Sequence, residues 1–243
     1  KSNIHTDALI INQCNHNSFD TIKKGNHTIR MISTTDRGLS KSRNLAIEQA
    51  TGDIGIICDD DEVFIEGYEE KIISAFQNYS KAAIIIFSVI RKNGNRKTYP
   101  TKVKRLNSLA CLNVTSFEIA FRIQKIKKNK IRFNEQIGSG VSNAGGEENI
   151  FLHDCIRKGL NIFFVPITLA TIKPGASQWS NQLFSKNYFI DRGKFTKKLI
   201  GGNFFAILYA FYFSIAKYNL YKSKMSMLQA LKYMLYGILK IKS

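Results

Sequence analysis

The 243-residue chain has only four cysteines, Cys14, Cys58, Cys111 and Cys155, and no two of them stand in a C-x-x-C arrangement. Neither a zinc site nor a disulfide framework is indicated by that spacing, and the expected compartment is the reducing cytoplasm. No signal peptide precedes the first predicted strand and residue 1 is Lys rather than Met, so the natural start is expected upstream. Acid is the second scarcity. After Glu70 the sequence holds only Glu118, Glu135, Glu147, Glu148, Asp154 and Asp191, against 29 Lys and Arg. Residues 1–70 reverse the balance, with 12 acids and 7 bases. This asymmetry places an acidic pocket on a chain whose remainder favours polyanions: nucleic acid, anionic lipid headgroups or phosphorylated substrates. A hydrophobic content of 44% excludes a disordered tail, and the length fits one large domain or a domain with an appendage.

The most informative stretch is 38–62, GLSKSRNLAIEQATGDIGIICDDDE. It reads as a helix, a turn, a buried strand over 54–58, and then Asp59, Asp60, Asp61 and Glu62. The apolar run Ile54, Ile56 and Ile57 needs cover on both faces, as a central parallel strand does. Side chains that follow such a strand fall at the carboxyl edge of the sheet, where open α/β folds bind ligands. Four adjacent carboxylates repel one another, and a divalent cation would offset them. In an extended exit Asp59 and Asp61 face one side, and Asp60 and Glu62 the other. The first pair could then share one ion or one nucleotide.

Taken in order, residues 7–14 read as a buried strand, 15–26 as a loop and 29–33 as a short strand. Ser40 is placed to cap the helix that Gly52 ends. An amphipathic helix is expected over 66–78 and a buried strand over 82–90. The segment 91–105 is basic and turn-rich, and 109–121 adds a strand or a helix. Residues 124–132 (QKIKKNKIR) carry five bases and no acid. In GGEENIFLHDCIRKG, Gly145 and Gly146 allow a sharp turn, and Phe151, Leu152, Cys155 and Ile156 form the buried face of a helix. Glu147 and Glu148 either complement that helix's dipole or supply a general base. A strand over 161–165 ends at Pro166. Alternating strands and helices of this kind predict a mostly parallel α/β sheet.

These pieces, in this order, resemble the family 2 glycosyltransferases, inverting enzymes with the GT-A fold. The matching residues are G-L-S-x-x-R-N (Gly38, Leu39, Ser40, Arg43, Asn44), A-x-G-D (Ala50, Gly52, Asp53), the D-x-D pair Asp59 and Asp61, and G-E-E-x-x-F (Gly146, Glu147, Glu148, Phe151). The resemblance covers residues 7–170 and is closest to bacterial members that build capsular or other surface polysaccharides. The tail element PGASQWS supports it. By that resemblance, residues 1–175 form a GT-A domain and 176–243 a helical, basic appendage.

The resemblance also implies roles. Asp59 and Asp60 would help hold the nucleotide, and Asp61, with Asp59, would bind Mn²⁺ or Mg²⁺ at the diphosphate. Arg43 and Asn44 would sit by the sugar nucleotide or brace its loop, with Gly38, Ser40 and Gly146 at the substrate. Glu148, where the family usually has Asp, would deprotonate the acceptor hydroxyl, and Glu147 is the alternative base. Implied partners are a nucleotide-sugar donor, a UDP-sugar first, and a glycan or lipid-linked acceptor. No nucleic acid is expected. The family's opening strand has no counterpart ahead of Asp7.

Two other readings compete. Asp59-x-Asp61-x-Val63 also matches the signature of haloacid-dehalogenase-type phosphotransferases, with Asp59 as nucleophile, but leaves GLSKSRN without a role. A non-enzymatic basic binder of membrane or nucleic acid accounts for the charge, not for two acidic clusters. At the C-terminus, residues 199–216 are uncharged over 18 positions, the lower limit for spanning a bilayer. Residues 225–241 look amphipathic, and 181–243 hold 11 bases and one acid. Helices lying on an anionic inner leaflet are expected over a spanning helix, with a packed helical subdomain as the alternative.

Overall fold

The computed structural model describes residues 2–59, 61–92, 97–138, 140–173 and 183–240. They group into two compact units. The first comprises Lys1–Arg37, Lys41–Phe133 and Phe151–Ala176; the second comprises Gly38–Ser40, Asn134–Ile150 and Ser177–Ser243.

The first unit holds two sheets. The smaller contains β1 (Ala8–Gln13), β2 (Ser18–Lys24) and β3 (His27–Thr34) in the order β1-β3-β2. β1 runs parallel to β3, and β2 pairs with β3 antiparallel from Ser18↔Ser33 to Lys24↔His27. Residues 15–26 are therefore not a loop. A two-residue turn joins β2 to β3, and Gly25, at φ 61°, supplies the positive first dihedral that such hairpins need.

The larger sheet has the order β4-β8-β6-β9-β5, formed by β4 (Ile54–Ile56), β5 (Glu62–Phe64), β6 (Ala82–Arg91), β8 (Ile119–Arg122) and β9 (Asn161–Ile172), with β7 (Lys104–Arg105) paired to β9. The central, doubly covered strand is β6, not β4. Along it Ile84 and Ile86 enter one apolar cluster, and Ile85, Phe87 and Val89 enter the other, as alternation on a strand requires. α1 (Leu39–Gln49), α4 (Ile123–Lys128) and α5 (Glu147–Arg157) contribute Ile47, Ile126, Phe151, Leu152 and Cys155 to the first cluster. α2 (Tyr68–Asn78) contributes Tyr68, Ile72, Ala75 and Phe76 to the second. Each fully buried aliphatic or aromatic side chain of this kind stabilises the fold by roughly 1.5–3 kcal/mol relative to exposure. A short helix, α3 (Ser108–Cys111), and a 3₁₀ turn, Ser116–Glu118, lead into β8.

The α/β class is as expected, but the sheets are mixed. β6 and β9 are parallel, whereas β4–β8, β6–β8, β5–β9 and β7–β9 are antiparallel. β4 lies at an edge because β8 comes between it and β6. β9 also continues through Pro166, which lacks the N–H a ladder needs; the β6–β9 register shifts between Ile86 and Ser88 at that level.

In the second unit, α6 (Lys186–Ile200), α7 (Asn203–Ala216), α8 (Tyr218–Tyr221) and α9 (Met227–Lys240) enclose Phe189, Ala206, Ala210, Phe213, Tyr221, Ala230, Met234 and Ile238. Ser185 caps α6 by accepting from the Tyr188 N–H at 3.1 Å, and Gly201 closes it in the left-handed conformation. α6 and α9 approach at two glycines. A Cβ on Gly193 would lie 2.2 Å from the Met234 carbonyl oxygen, and one on Gly237 would lie 2.0 Å from that of Ile190. Among the described residues no helix is long and apolar enough to cross a membrane.

Candidate functional site

The acidic stretch leaves β4 as a turn rather than as an extended exit. The Glu62 N–H donates to the Asp59 carbonyl at 3.3 Å, and the Lys173 N–H donates to that of Asp61 at 3.0 Å. β5 then pairs Glu62 with Ile172 on β9, so the turn is fixed at both ends. Asp60 lies outside the described residues, as does PGASQWS.

Two of the sequence-selected residues, Arg43 and Asn44 on α1, are buried beside Asp59 and Phe133. Arg43 Nη2 lies 3.6 Å from Asp59 Oδ1, and the arginine side chain is only 8% exposed. Its guanidinium also sits 5.4 Å over the Phe133 ring. Asn44 is 3% exposed, and its amide clamps Phe133 at both backbone groups: Nδ2 donates to the carbonyl at 3.0 Å, and Oδ1 accepts from the N–H at 2.7 Å. Asn44 thus braces the segment against which Arg43 stacks.

A residue that sequence reasoning missed completes this arrangement. Ser116 Oγ donates to Asp59 Oδ2 at 3.2 Å from the 3₁₀ turn before β8. That turn is anchored by Glu118, whose carboxylate is fully buried. It accepts from Tyr99 Oη at 2.7 Å, Lys97 Nζ at 2.6 Å, Arg91 Nη2 at 3.2 Å and the Thr115 N–H at 3.1 Å. Burial lowers the Lys97 pKa even though the Glu118 carboxylate opposes the shift. Nothing in the spacing of residues 91–118 marks this cluster; the one hint was the rarity of acid in the basic part of the chain.

Glu62 is 1% exposed, and neither carboxylate oxygen makes a well-formed hydrogen bond among the described residues, the Cys58 thiol and the Asp59 backbone offering only weak donors. Burial, then the charge of Asp59 and to a lesser degree that of Asp61, pushes its pKa up to about 8. An unsatisfied buried carboxylate beside two aspartates is a donor set of hard oxygens. Among the described residues no three His, Cys, Asp or Glu side chains converge as a complete cage. Mg²⁺ and Mn²⁺ do not require one, because such ions are held by one or two carboxylates with the rest of the shell from water and substrate phosphates. The residues therefore fit a divalent cation.

Gly38, Ser40, Gly146, Glu147 and Glu148 belong to the second unit. Ser40 does not cap α1. It lies within the first turn, 1% exposed, and its hydroxyl donates to the Ile137 carbonyl at 3.1 Å. A Cβ on Gly38 would press on Val141 at 3.2 Å. Gly146 has φ 117°, and a Cβ there would lie 2.5 Å from the Phe195 ring, so only glycine fits ahead of α5. Glu147 is buried, with Oε2 accepting from the Gly146 N–H at 3.2 Å. Its neighbour Glu148 is half-buried. Asp191, on α6, holds the loop that precedes these acids: Oδ2 accepts from the Asn143 N–H and Nδ2, each at 2.9 Å, and Oδ1 from Lys194 Nζ at 2.9 Å. Burial acts to raise the Asp191 pKa, but the bonds from Asn143 and Lys194 outweigh it and hold the carboxyl below its usual range.

The mixed sheet with its flanking helices, the acidic turn at a strand exit and the C-terminal helices constitute a GT-A fold. Three crystal structures of S. aureus TarS share it. The 1–349 form superposes with a TM-score of 0.62 at 13% identity, over 96% of this chain and 72% of that one. The same form in complex with UDP-GlcNAc gives 0.61 at 15%, over 86% and 65%, and a longer TarS chain gives 0.55 at 13%, over 96% and 44%. No curated protein matches the sequence. Residues 16–144, more than half of the chain, match glycosyl transferase family 2. The chain belongs to that family, and membership supports glycosyl transfer over the phosphotransferase and the non-enzymatic binder.

Proposed function

We propose that this protein is an inverting glycosyltransferase that moves a sugar from a UDP-sugar to a hydroxyl of a glycan or lipid-linked acceptor in bacterial surface polysaccharide synthesis. The observation that carries the reading is the acidic turn: Asp59 is positioned by Arg43 and Ser116, with the unsatisfied Glu62 carboxylate two residues beyond Asp60. The UDP-GlcNAc complex of TarS, a protein of the same fold, supports a uridine donor.

Asp61, with Asp59, would hold Mn²⁺ or Mg²⁺. The bound ion would supply Lewis-acid stabilisation of the charge that gathers on the departing diphosphate. Arg43, fixed over Phe133 and facing Asp59, keeps that carboxylate oriented and adds positive potential. Asn44 holds Phe133 in place beneath it. Gly38, Ser40 and Gly146 would stand at the substrate, on a backbone held by the Ser40 bond to the Ile137 carbonyl and by the packing of Gly38 on Val141 and Gly146 on Phe195.

Inversion needs one carboxylate to take the proton of the attacking acceptor hydroxyl. Glu148 suits that role better than Glu147. Glu147 is buried and spends an oxygen on the Gly146 N–H, whereas Glu148 is only half-buried. The acceptor oxygen bonds to the anomeric carbon as the bond to the diphosphate breaks, and the hydroxyl proton passes to Glu148. The basic C-terminal helices are read as peripheral on the cytoplasmic face of the cell membrane, where a lipid-linked acceptor is at hand.

The test is a thermal-shift screen with UDP-, GDP- and CDP-sugars, each with and without Mn²⁺, followed by transfer assays on variants. A shift that needs both a UDP-sugar and Mn²⁺, absent in Asp61→Ala, is expected. Glu148→Gln should bind donor and fail to transfer. Transfer at the wild-type rate by Asp61→Ala would sink the metal assignment, and a dead Glu147→Gln beside an active Glu148→Gln would move the base by one residue.

A further inference from the structure

Helix α7 is sided in an unusual sense. Ala206, Ala210, Phe213 and Ser214 are buried against the neighbouring helices, and the bulkiest apolar groups mostly face the other way. Phe204, Phe205, Leu208, Phe211, Tyr212 and Ile215 are each between 47% and 68% exposed. Their spacings of one, three, three, one and three residues trace a single stripe along a 3.6-residue helix. Soluble surfaces carry scattered apolar residues, but a contiguous aromatic stripe of this length marks a contact surface.

Charge decides what covers it. Residues 181–243 contain 11 Lys and Arg and one acid, Asp191, which is buried and already bound by Asn143 and Lys194. Every other charged side chain of this segment is positive. Lys197 and Lys198 precede α7, and Lys217 follows it directly, with Lys222 and Lys224 soon after. A second copy of the chain would bring the same excess to the same edges, and like charges set against one another oppose pairing. An anionic lipid leaflet offers both apolar depth and the opposite sign. Length settles the orientation. Fourteen residues rise about 21 Å, short of the roughly 30 Å hydrocarbon core, so the helix lies in the surface rather than across it.

We propose that α7 is an in-plane membrane anchor whose outward stripe enters the interfacial layer of an anionic leaflet, with the lysines at its two ends on the headgroups. This deepens the peripheral-membrane reading above by naming the element that inserts, and it is independent of the transferase chemistry. The experiment is vesicle flotation of the full chain. The vesicles are phosphatidylcholine alone, or phosphatidylcholine with a third replaced by phosphatidylglycerol. The variants are Phe204→Ser/Phe205→Ser/Phe211→Ser and Lys198→Gln/Lys217→Gln/Lys222→Gln. Because the substituted side chains are exposed, circular dichroism and the melting temperature should stay as in the wild type.

Flotation with anionic vesicles, reduced at least ~tenfold in the triple Phe variant, and made weak and salt-insensitive in the triple Lys variant, is the expected result. No flotation of the wild type at low salt, or flotation that the triple Phe variant retains, overturns the proposal. So does a wild-type dimer in sedimentation equilibrium that the triple Phe variant dissociates while vesicles are not bound. Retention of the Mn²⁺-dependent donor shift by the triple Phe variant separates the anchor from the catalytic site. Loss of that shift in the wild type with flotation intact would count against the transferase reading alone.

Discussion

The sharpest stability test is Glu118→Gln, which keeps the shape of the side chain and removes its charge. The wild-type carboxylate has no exposed surface and accepts from Lys97, Arg91, Tyr99 and the Thr115 N–H at 2.6–3.2 Å. An amide in its place offers one acceptor oxygen to those donors and turns an NH₂ toward others. Arg91 and Lys97, each about one-fifth exposed, then keep their desolvation without a counter-charge. Breaking one side of a buried pair costs about 3–5 kcal/mol, because the remaining charge is left uncompensated. The lower end applies here, since both cations keep some contact with water. A loss of about 3 kcal/mol corresponds to a fall of roughly 10 °C in the melting temperature for a chain of this size. Calorimetric melting of wild type and variant measures it. Adding Lys97→Met to Glu118→Gln should restore part of the loss by removing one stranded cation. The same variant should weaken the Mn²⁺-dependent donor shift, because the turn that Glu118 anchors carries Ser116 to Asp59. A change below about 1 kcal/mol, the range of solvated surface pairs, would refute the reasoning.

Three further outcomes are expected. Asp191→Asn should cost about 1.5–3 kcal/mol at neutral pH, the worth of hydrogen bonds to a charged group. Because the folded carboxyl titrates below its usual value of 3.8, its contribution is present above that pH and lost as pH falls through the folded value. Urea unfolding should therefore show the gap between wild type and Asp191→Asn closing on acidification below pH ~4. Gly146→Ala combines a left-handed backbone, worth about 1–3 kcal/mol of strain, with a collision against Phe195, and transfer should be lost together with a fall in melting temperature. Asn44→Ala leaves the Phe133 N–H and carbonyl without their partner and should destabilise by about 2–4 kcal/mol, whereas Asn44→Asp, which keeps only the acceptor, should fall between.

The elements that could be read in the sequence are those whose burial leaves a periodic trace. β6 is apolar on both faces, α2 repeats its buried residues at helical intervals, and α5 does the same with Phe151, Leu152 and Cys155. β2 left no such trace. Its residues are exposed almost throughout, and it is held by the backbone ladder to β3. β4 misled for the opposite reason. Its apolar run is covered partly by a neighbouring ring, since a Cβ on Gly55 would lie 3.1 Å from Phe121, and it needs no central position to be satisfied. Strand direction depends on which later segment returns beside an earlier one. β8 enters between β4 and β6 from a stretch whose pattern did not distinguish strand from helix.

The site divides along the same line. Asp59 and Arg43 were marked by motifs because both lie within one short stretch, whereas Ser116, Glu118 and Asp191 act through partners far away in sequence. Composition nevertheless held a usable signal. In a stretch with 29 bases and six acids, an acid that is buried finds cations to engage it far more readily than another acid to oppose it. Glu118 and Asp191 are both of this kind, each taking a lysine and a backbone N–H. Glu62 is the converse: buried among the acids of residues 59–62, it makes no well-formed hydrogen bond among the described residues. The same burial that makes a carboxylate a clamp among bases makes it a demand for a cation among acids. That difference in surroundings, more than the acids themselves, separates Glu118 and Asp191, which hold the fold, from Glu62, which lies beside the carboxylates proposed to hold a cation.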